Sequence, residues 1–201
     1  MAQQTVGILI FDEVEILDFC GPFEVFSSAV PSGLEDYSDE HRLYRAITIA
    51  EEARTVRCRG GLLVQPNHTI ADHPPLDILL IPGGYGTDQV VENPRLLEWV
   101  TRQHEAASLT TTVCTGTFVL AKTGLLDGKR ATTHWEMIPN FRETYPAVVT
   151  LDDERVVDEG RIITSAGVSA GIDMALHVVA RQHSRTVADE TARGMEYDWR
   201  T

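Results

Sequence analysis

The sequence predicts an open three-layer α/β sandwich around a mostly parallel central sheet, and three observations carry that reading. Strand-like runs recur along the chain, and most are continuously apolar or β-branched rather than alternating, as in strands covered on both faces. Helical patterns separate them, which implies right-handed crossovers and a ligand site beyond the C-terminal strand ends. Finally, TVCTGTFVLA at 112–121 breaks from a β-branched run at Cys114 and passes through Thr115 and Gly116 into an apolar helical pattern. That is a strand-turn-helix with a thiol at its tip.

In chain order, TVGILIF at 5–11 is the first strand, and EILDFCGPFEVF opens a first helix with Asp18 at its entrance. LYRAITIA at 43–50 is the second strand. TVRCRGGLLVQPNHTI at 55–70 suggests a small β excursion turning at Gly60 and Gly61. LDILLIP at 76–82 and LTTTV at 109–113 are buried strands, and between them Asn93 and Pro94 form a cap and first-turn pair ahead of a stripe of Leu96, Leu97 and Val100. VVDEGRII at 156–163 reads as a hairpin over Asp158, Glu159 and Gly160. A last pair of helices follows: one carries Ile172, Ala175, Leu176 and Val179, the other opens on the capping-box spacing of Thr186 and Asp189 and runs toward Glu196.

With 201 residues the chain suits one domain spanning 1–201, long enough to bury about 70% of its unfolded surface without a disulfide or metal. Its apolar runs are far shorter than the ~20 residues of a membrane span, so no membrane partner is expected. The start, MAQQTVGILIF, has no basic region ahead of its apolar run, which predicts a strand rather than a signal sequence and a cytoplasmic protein. Thirty acidic against 17 basic side chains give a net charge of −13, the opposite of what nucleic acid attracts. Much of that acidity falls in expected loops, EDYSDE at 35–40 and DDE at 152–154. Cys20, Cys58 and Cys114 make an odd set with no CxxC spacing, which argues against a disulfide framework and a thiolate zinc site.

Chemistry concentrates at three strand ends. Cys114 is expected partly exposed at a helix N-terminus, which lowers a thiol pKa from ~8.5 toward or below neutrality, although a buried cysteine acting as a small hydrophobe fits the same segment. Asp18 either caps its helix or faces the thiol; in the second case the pair tends to share one proton. IPGGYG at 81–86 is a tight turn or a cradle in which the N–H groups of Gly84 and Thr115 converge on charge beside the sulfur. His134, in RATTHWEM, is either a packed histidine beside Trp135 or a base for Cys114. No histidine shows metal-ligand spacing, and the glycines form neither GxGxxG nor a P-loop, so neither metal nor cofactor is expected.

LDFCGPFEVF, LIPGGYG, TVCTGTFVLAKTGLLDGKRATTHW and SAGVSAGIDMALHVVA together resemble the ThiJ/PfpI superfamily, over residues 5 to 197. Within it they are most similar to the isocyanide hydratase group. The resemblance implies a class I glutamine amidotransferase-like, flavodoxin-like fold with Cys114 as nucleophile on the elbow. Asp18 would be its acidic partner, where many relatives have glutamate; Thr115 would flank the sulfur and Gly84 would be a backbone donor. It also implies a homodimer acting on a small molecule. Cys20 stands where hydratase relatives tend to have threonine, and the chain stops at GMEYDWRT without the proline-rich tail of longer relatives or the basic helix-turn-helix region of AraC-type regulators, which share this domain.

The expected reaction is cofactor-free hydration of an isocyanide to an N-substituted formamide, a lyase activity. Thiolate Cys114 attacks the terminal carbon, Asp18 delivers a proton to it, and water resolves the thioimidate. Phe19 or Trp135 is expected to wall the site. The alternatives are a thiol hydrolase or glyoxalase of the same superfamily, or a redox-sensing or ligand-binding domain in which Cys114 oxidises.

Overall fold

The computed structural model describes residues 3–34, 38 and 40–199, so most of the acidic run at 35–40 lies outside the described residues. The first strand β1 (Gln4–Leu9) leads into helix α1 (Ile16–Ser28) and returns to β2 (Tyr44–Ala50). A small antiparallel ribbon, β3 (Val56–Arg57) and β4 (Leu63–Val64), turns through Gly60 and Gly61 as its sequence predicts. Then come β5 (His68–Thr69), β6 (Ile78–Ile81), α2 (Thr87–Val91), α3 (Pro94–Ala106) and β7 (Leu109–Val113). The second half holds α4 (Gly116–Lys122), β8 (Arg130–Ala131), α5 (Ile138–Thr144), β9 (Val149–Thr150), β10 (Val156–Asp158), β11 (Ile162–Ser165), α6 (Ala170–Gln182) and α7 (Arg185–Gly194).

The main sheet has the order β10-β11-β7-β6-β1-β2-β5, parallel throughout except for the edge strand β10. Its central strands are buried along their whole length: Ile78 to Ile81 and Leu109 to Val113 are all inaccessible to water. This is why they read as continuous apolar or β-branched runs. Helices α1, α6 and α7 pack together in one layer, and α2, α3 and α4 in another. Register holds the centre level, since Ile8 pairs with Leu80, Leu80 with Thr111 and Thr111 with Ile163. The loops after β1, β6, β7 and β11 therefore meet at one edge. Strand order reverses between β1 and β6, so this edge also holds the topological switch point where such sheets bind ligands.

Local chemistry explains the element ends. Asn93, extended at φ −98°, accepts from the N–H groups of Arg95 and Leu96 and starts α3 with Pro94 in the first turn. The last helix starts earlier than its capping-box spacing predicts. Ser184 is the cap: it is fully extended at φ −167°, and its hydroxyl accepts from Val187 N–H at 3.2 Å. Asp189 instead faces solvent in a 2.7 Å ion pair with Arg185, and the helix ends at Gly194.

Candidate active site

Cys114 sits at the tip of the bend between β7 and α4 with φ +56°, a left-handed conformation that costs energy for any residue but glycine. Neighbours hold it there. Its N–H donates to Ser165 O at 3.1 Å, and its own carbonyl accepts from the Thr133 hydroxyl at 2.7 Å and from Thr117 N–H at 3.3 Å. The elbow is thus tied to β11 on one side and to the segment after β8 on the other.

The acid comes from the far side of the switch point. Asp18 lies in the first turn of α1, with no accessible surface, and does not cap its helix; Glu15 holds the cap position without a side-chain bond. Asp18 Oδ2 accepts from Gly83 N–H at 2.9 Å, whereas Oδ1 has no hydrogen-bond partner among the described residues. Burial, opposed by the Gly83 N–H and assisted by the nearby Glu15 charge, raises the carboxyl to about 7. The Cys114 thiol is close enough to act on it in turn.

The expected exposed, acidified thiol is corrected by the structure. Cys114 is only 6% exposed, and its pKa is raised, first by burial and then by the charge of Asp18. Helix α4 has seven residues, and its dipole does not outweigh the desolvation of sulfur beside a carboxylate. Two groups work the other way: the N–H and the hydroxyl of Thr115 both favour the thiolate. Asp18 and Cys114 therefore form a coupled pair that retains a proton at neutral pH.

Gly84 also differs from expectation. Its N–H is occupied by Thr115 Oγ1 at 3.0 Å, and that oxygen lies 2.9 Å from the Thr87 hydroxyl. The Gly84 N–H is consequently not a free donor for an oxyanion. The glycine is required by its φ of +132° and by the approach of the β1–α1 loop, where an added Cβ would lie 2.4 Å from Glu13 O.

Above the sulfur opens a cavity of about 560 Å³, lined by Cys114, Thr115 and Gly84 at its base. Phe118, Met137, Val168 and Trp135 supply apolar wall, and Trp135 is 70% exposed. Phe19 does not take part; it is 3% exposed and belongs to the core. Glu15, Arg59, Asp88 and Glu136 bring charge to the same lining, where Arg59 pairs with Glu15 at 2.5 Å and stacks 4.4 Å over the Tyr85 ring. His134 lines the same cavity, but its Nδ1 accepts from Glu136 N–H at 3.3 Å, and no hydrogen bond among the described residues joins it to Cys114. The Glu136 carboxylate also lies 3.8 Å from Nδ1, so this ring nitrogen is turned toward Glu136 and away from the thiol.

Several contributors carry no local sequence signal. Gly83 stands beside Gly84 in IPGGYG, where nothing marks its N–H as the donor to Asp18, and Gly167 is a lone glycine; only the fold shows that a Cβ on Gly167 would lie 2.9 Å from Cys114 Sγ and 2.5 Å from His134 Cδ2. Among the described residues, no three His, Cys, Asp or Glu side chains group to hold a metal ion, and no helix is long and apolar enough to cross a membrane.

Comparison with known proteins agrees with this architecture. The chain is 37% identical over 172 residues to the isonitrile hydratase of Pseudomonas putida, covering 85% of this chain and 68% of that protein. It is 29% identical over 187 residues to the HTH-type transcriptional regulator GbdR of Pseudomonas aeruginosa, covering 92% of this chain and 48% of the regulator, so it spans about half the length of that relative. Among solved structures, a ThiJ/PfpI family protein from Pseudomonas syringae superposes with a TM-score of 0.86 at 28% identity, over 100% of this chain and 78% of that one. Drosophila melanogaster DJ-1beta superposes with a TM-score of 0.82 at 20% identity, over 98% of this chain and 100% of that one. The model of the DJ-1/PfpI family matches residues 4–181, and the chain belongs to that family.

Proposed function

We propose that this protein hydrates isocyanides to N-substituted formamides without a cofactor, using Cys114 as nucleophile and Asp18 as its proton partner. The observation that carries the reading is the buried Asp18–Cys114 pair beside a cavity of mixed lining, with Phe118, Trp135, Met137 and Val168 as its apolar part, and with burial raising the proton affinity of both the thiol and the carboxyl. The 37% identity to an isonitrile hydratase supports the choice of electrophile.

Sulfur bonds to the terminal carbon of R–N≡C, and the proton held by the pair moves to that carbon, giving R–N=CH–S–Cys114 with Asp18 ionised. Asp18 has no accessible surface, so the proton is exchanged at the sulfur, on the cavity floor, rather than from an open carboxyl. Water then adds to the thioimidate carbon. One of its protons passes to the nitrogen, the C–S bond breaks, and the other proton returns to the Asp18–Cys114 pair. The N–H and hydroxyl of Thr115 stabilise negative charge on sulfur as it leaves. A homodimer of cytoplasmic chains belongs to the same reading, and light scattering reports the oligomer.

The test is formamide production from an aryl isocyanide, followed by chromatography for purified wild-type and Cys114→Ala protein. Wild-type turnover that disappears in the variant is expected. Turnover of methylglyoxal but not of the isocyanide would replace this reading with a glyoxalase. The match to a regulator over 92% of this chain favours a second reading, a ligand-binding domain, which saturable binding without any turnover would place first.

A further inference from the structure

We propose that Thr133 is a positioning residue for the nucleophile, holding the strained Cys114 elbow through its hydroxyl and coupling it to the cavity wall. The inference rests on the reading of Cys114 as nucleophile given above.

Thr133 is 1% exposed, and its Oγ1 donates to Cys114 O at 2.7 Å. That carbonyl belongs to a non-glycine residue at φ +56°, so its orientation is the one that the elbow must maintain against backbone strain. The only other donor to it among the described residues is Thr117 N–H at the longer distance of 3.3 Å.

The segment that carries Thr133 is itself anchored on both sides. Thr132 N–H donates to Thr164 Oγ1 at 3.0 Å, and Thr132 O accepts from Thr117 Oγ1 at 3.0 Å, a hydroxyl that also contacts Thr112 Oγ1 at 2.7 Å. These bonds join β11, β7 and α4 to a stretch without regular structure. The next residues, His134 and Trp135, are cavity wall. One short segment therefore fixes the backbone of the nucleophile and the wall that faces it. A buried hydroxyl on a strained carbonyl has an energetic reason to be there, since losing it leaves that acceptor underbonded.

Removing the hydroxyl while keeping the volume lets the Cys114 peptide relax and moves sulfur away from Asp18 and the Thr115 N–H. The test compares wild type, Thr133→Val and Thr133→Ser by two readouts. The first is the pH dependence of Cys114 alkylation by iodoacetamide, followed by mass spectrometry; the second is isocyanide turnover. In wild type the alkylation profile is expected to carry an inflection near 7, where Asp18 loses its proton beside the sulfur. In Thr133→Val that inflection is expected to be lost and alkylation to rise only at higher pH, because the sulfur keeps its burial but no longer shares the proton of Asp18. Turnover is expected to fall about 10- to 100-fold in kcat, with KM within about two-fold because the Thr132 bonds keep the wall in place. Thr133→Ser is expected to restore both. Unchanged profile and kcat in Thr133→Val would overturn the proposal, as would a Thr133→Ser protein that behaves like Thr133→Val. If Thr133→Val does not fold, Thr133→Ala takes its place under the same criteria. Absence of isocyanide turnover in wild type, with a normal alkylation profile, would sink the hydratase reading and leave this comparison intact; a wild-type Cys114 inert from pH 5 to about 10 would overturn both.

Discussion

Asp18 and Cys114 approach each other from opposite sides of the strand-order reversal, the acid tied through Oδ2 to Gly83 N–H and the thiol set on a left-handed elbow. Burial raises the proton affinity of both groups, and the charge of Asp18 raises that of the thiol further, so the pair loses its first proton near the raised value of Asp18, about 7, and its second far above. In the proposed mechanism the singly protonated pair is the reactive form. Hence kcat/KM for an isocyanide is expected to rise as pH increases through about 7 and then stay level well into the alkaline range. A stopped-time assay from pH 5 to about 10 checks this, and a profile that falls on raising pH through 7 would assign the proton differently. In Asp18→Asn the limb should vanish together with at least ~10³-fold of activity.

The same raised carboxyl has a consequence for stability. Asp18 titrates near 7 when folded against 3.8 in the unfolded reference, so the folded state binds more protons between those values. Stability is fully present below 3.8 and is lost as pH rises through about 7. Moving a carboxyl over that interval is worth on the order of 4 kcal/mol at most. Asp18→Asn is therefore expected to raise Tm at pH 8 relative to wild type and to have little effect at pH 4, the sign expected where catalysis uses a destabilised group. Thermal unfolding at the two pH values measures it, and a variant that is less stable at pH 8 would contradict the burial argument.

Gly167 lies where the loop after β11 passes beside the sulfur. An alanine Cβ would lie 2.9 Å from Cys114 Sγ and 2.5 Å from His134 Cδ2, closer than carbon contacts allow. Gly167→Ala must displace the imidazole, the sulfur or the loop. The expected result is a loss of about 1–3 kcal/mol from overpacking, with kcat lowered by more than ~10-fold. Denaturant unfolding and steady-state kinetics on the same preparation test both parts.

How much of this was legible beforehand differs by physical cause. The parallel sheet showed in runs such as ILLI and LTTTV because burial on both faces removes polar residues from a strand. The elbow showed at Cys114 because a strand that breaks into a helix within two residues has few backbone solutions. The state of the thiol did not show, because burial and the charge of Asp18 are set by residues almost a hundred positions away, and these overcame the dipole of a short helix. The Gly84 donor failed for a similar reason: competition from Thr115 Oγ1 exists only once β6 and β7 are side by side. The Ser184 cap displaced the Thr186 spacing because capping depends on an extended backbone at one residue, which spacing does not encode.

Trp135 offers a test of the cavity that is separate from the chemistry. It follows His134 at the start of a short 3-10 turn, is 70% exposed, and stands on the cavity wall with Phe118 and Met137. Under the proposed function, an indole so placed is hydrophobic surface for an apolar N-substituent to cover on binding, and an aromatic substituent would add ring contact. It touches neither Asp18 nor the elbow bonds, so its removal takes away binding common to the ground and transition states. Trp135→Ala is therefore expected to raise KM for an aryl isocyanide about 5- to 20-fold with kcat within about two-fold, and to matter less for a methyl-sized substituent. Because the side chain is mostly in water, Tm should stay close to wild type. An equal loss for aryl and methyl substrates, or a loss confined to kcat, would mean that the substituent leaves the cavity by another wall.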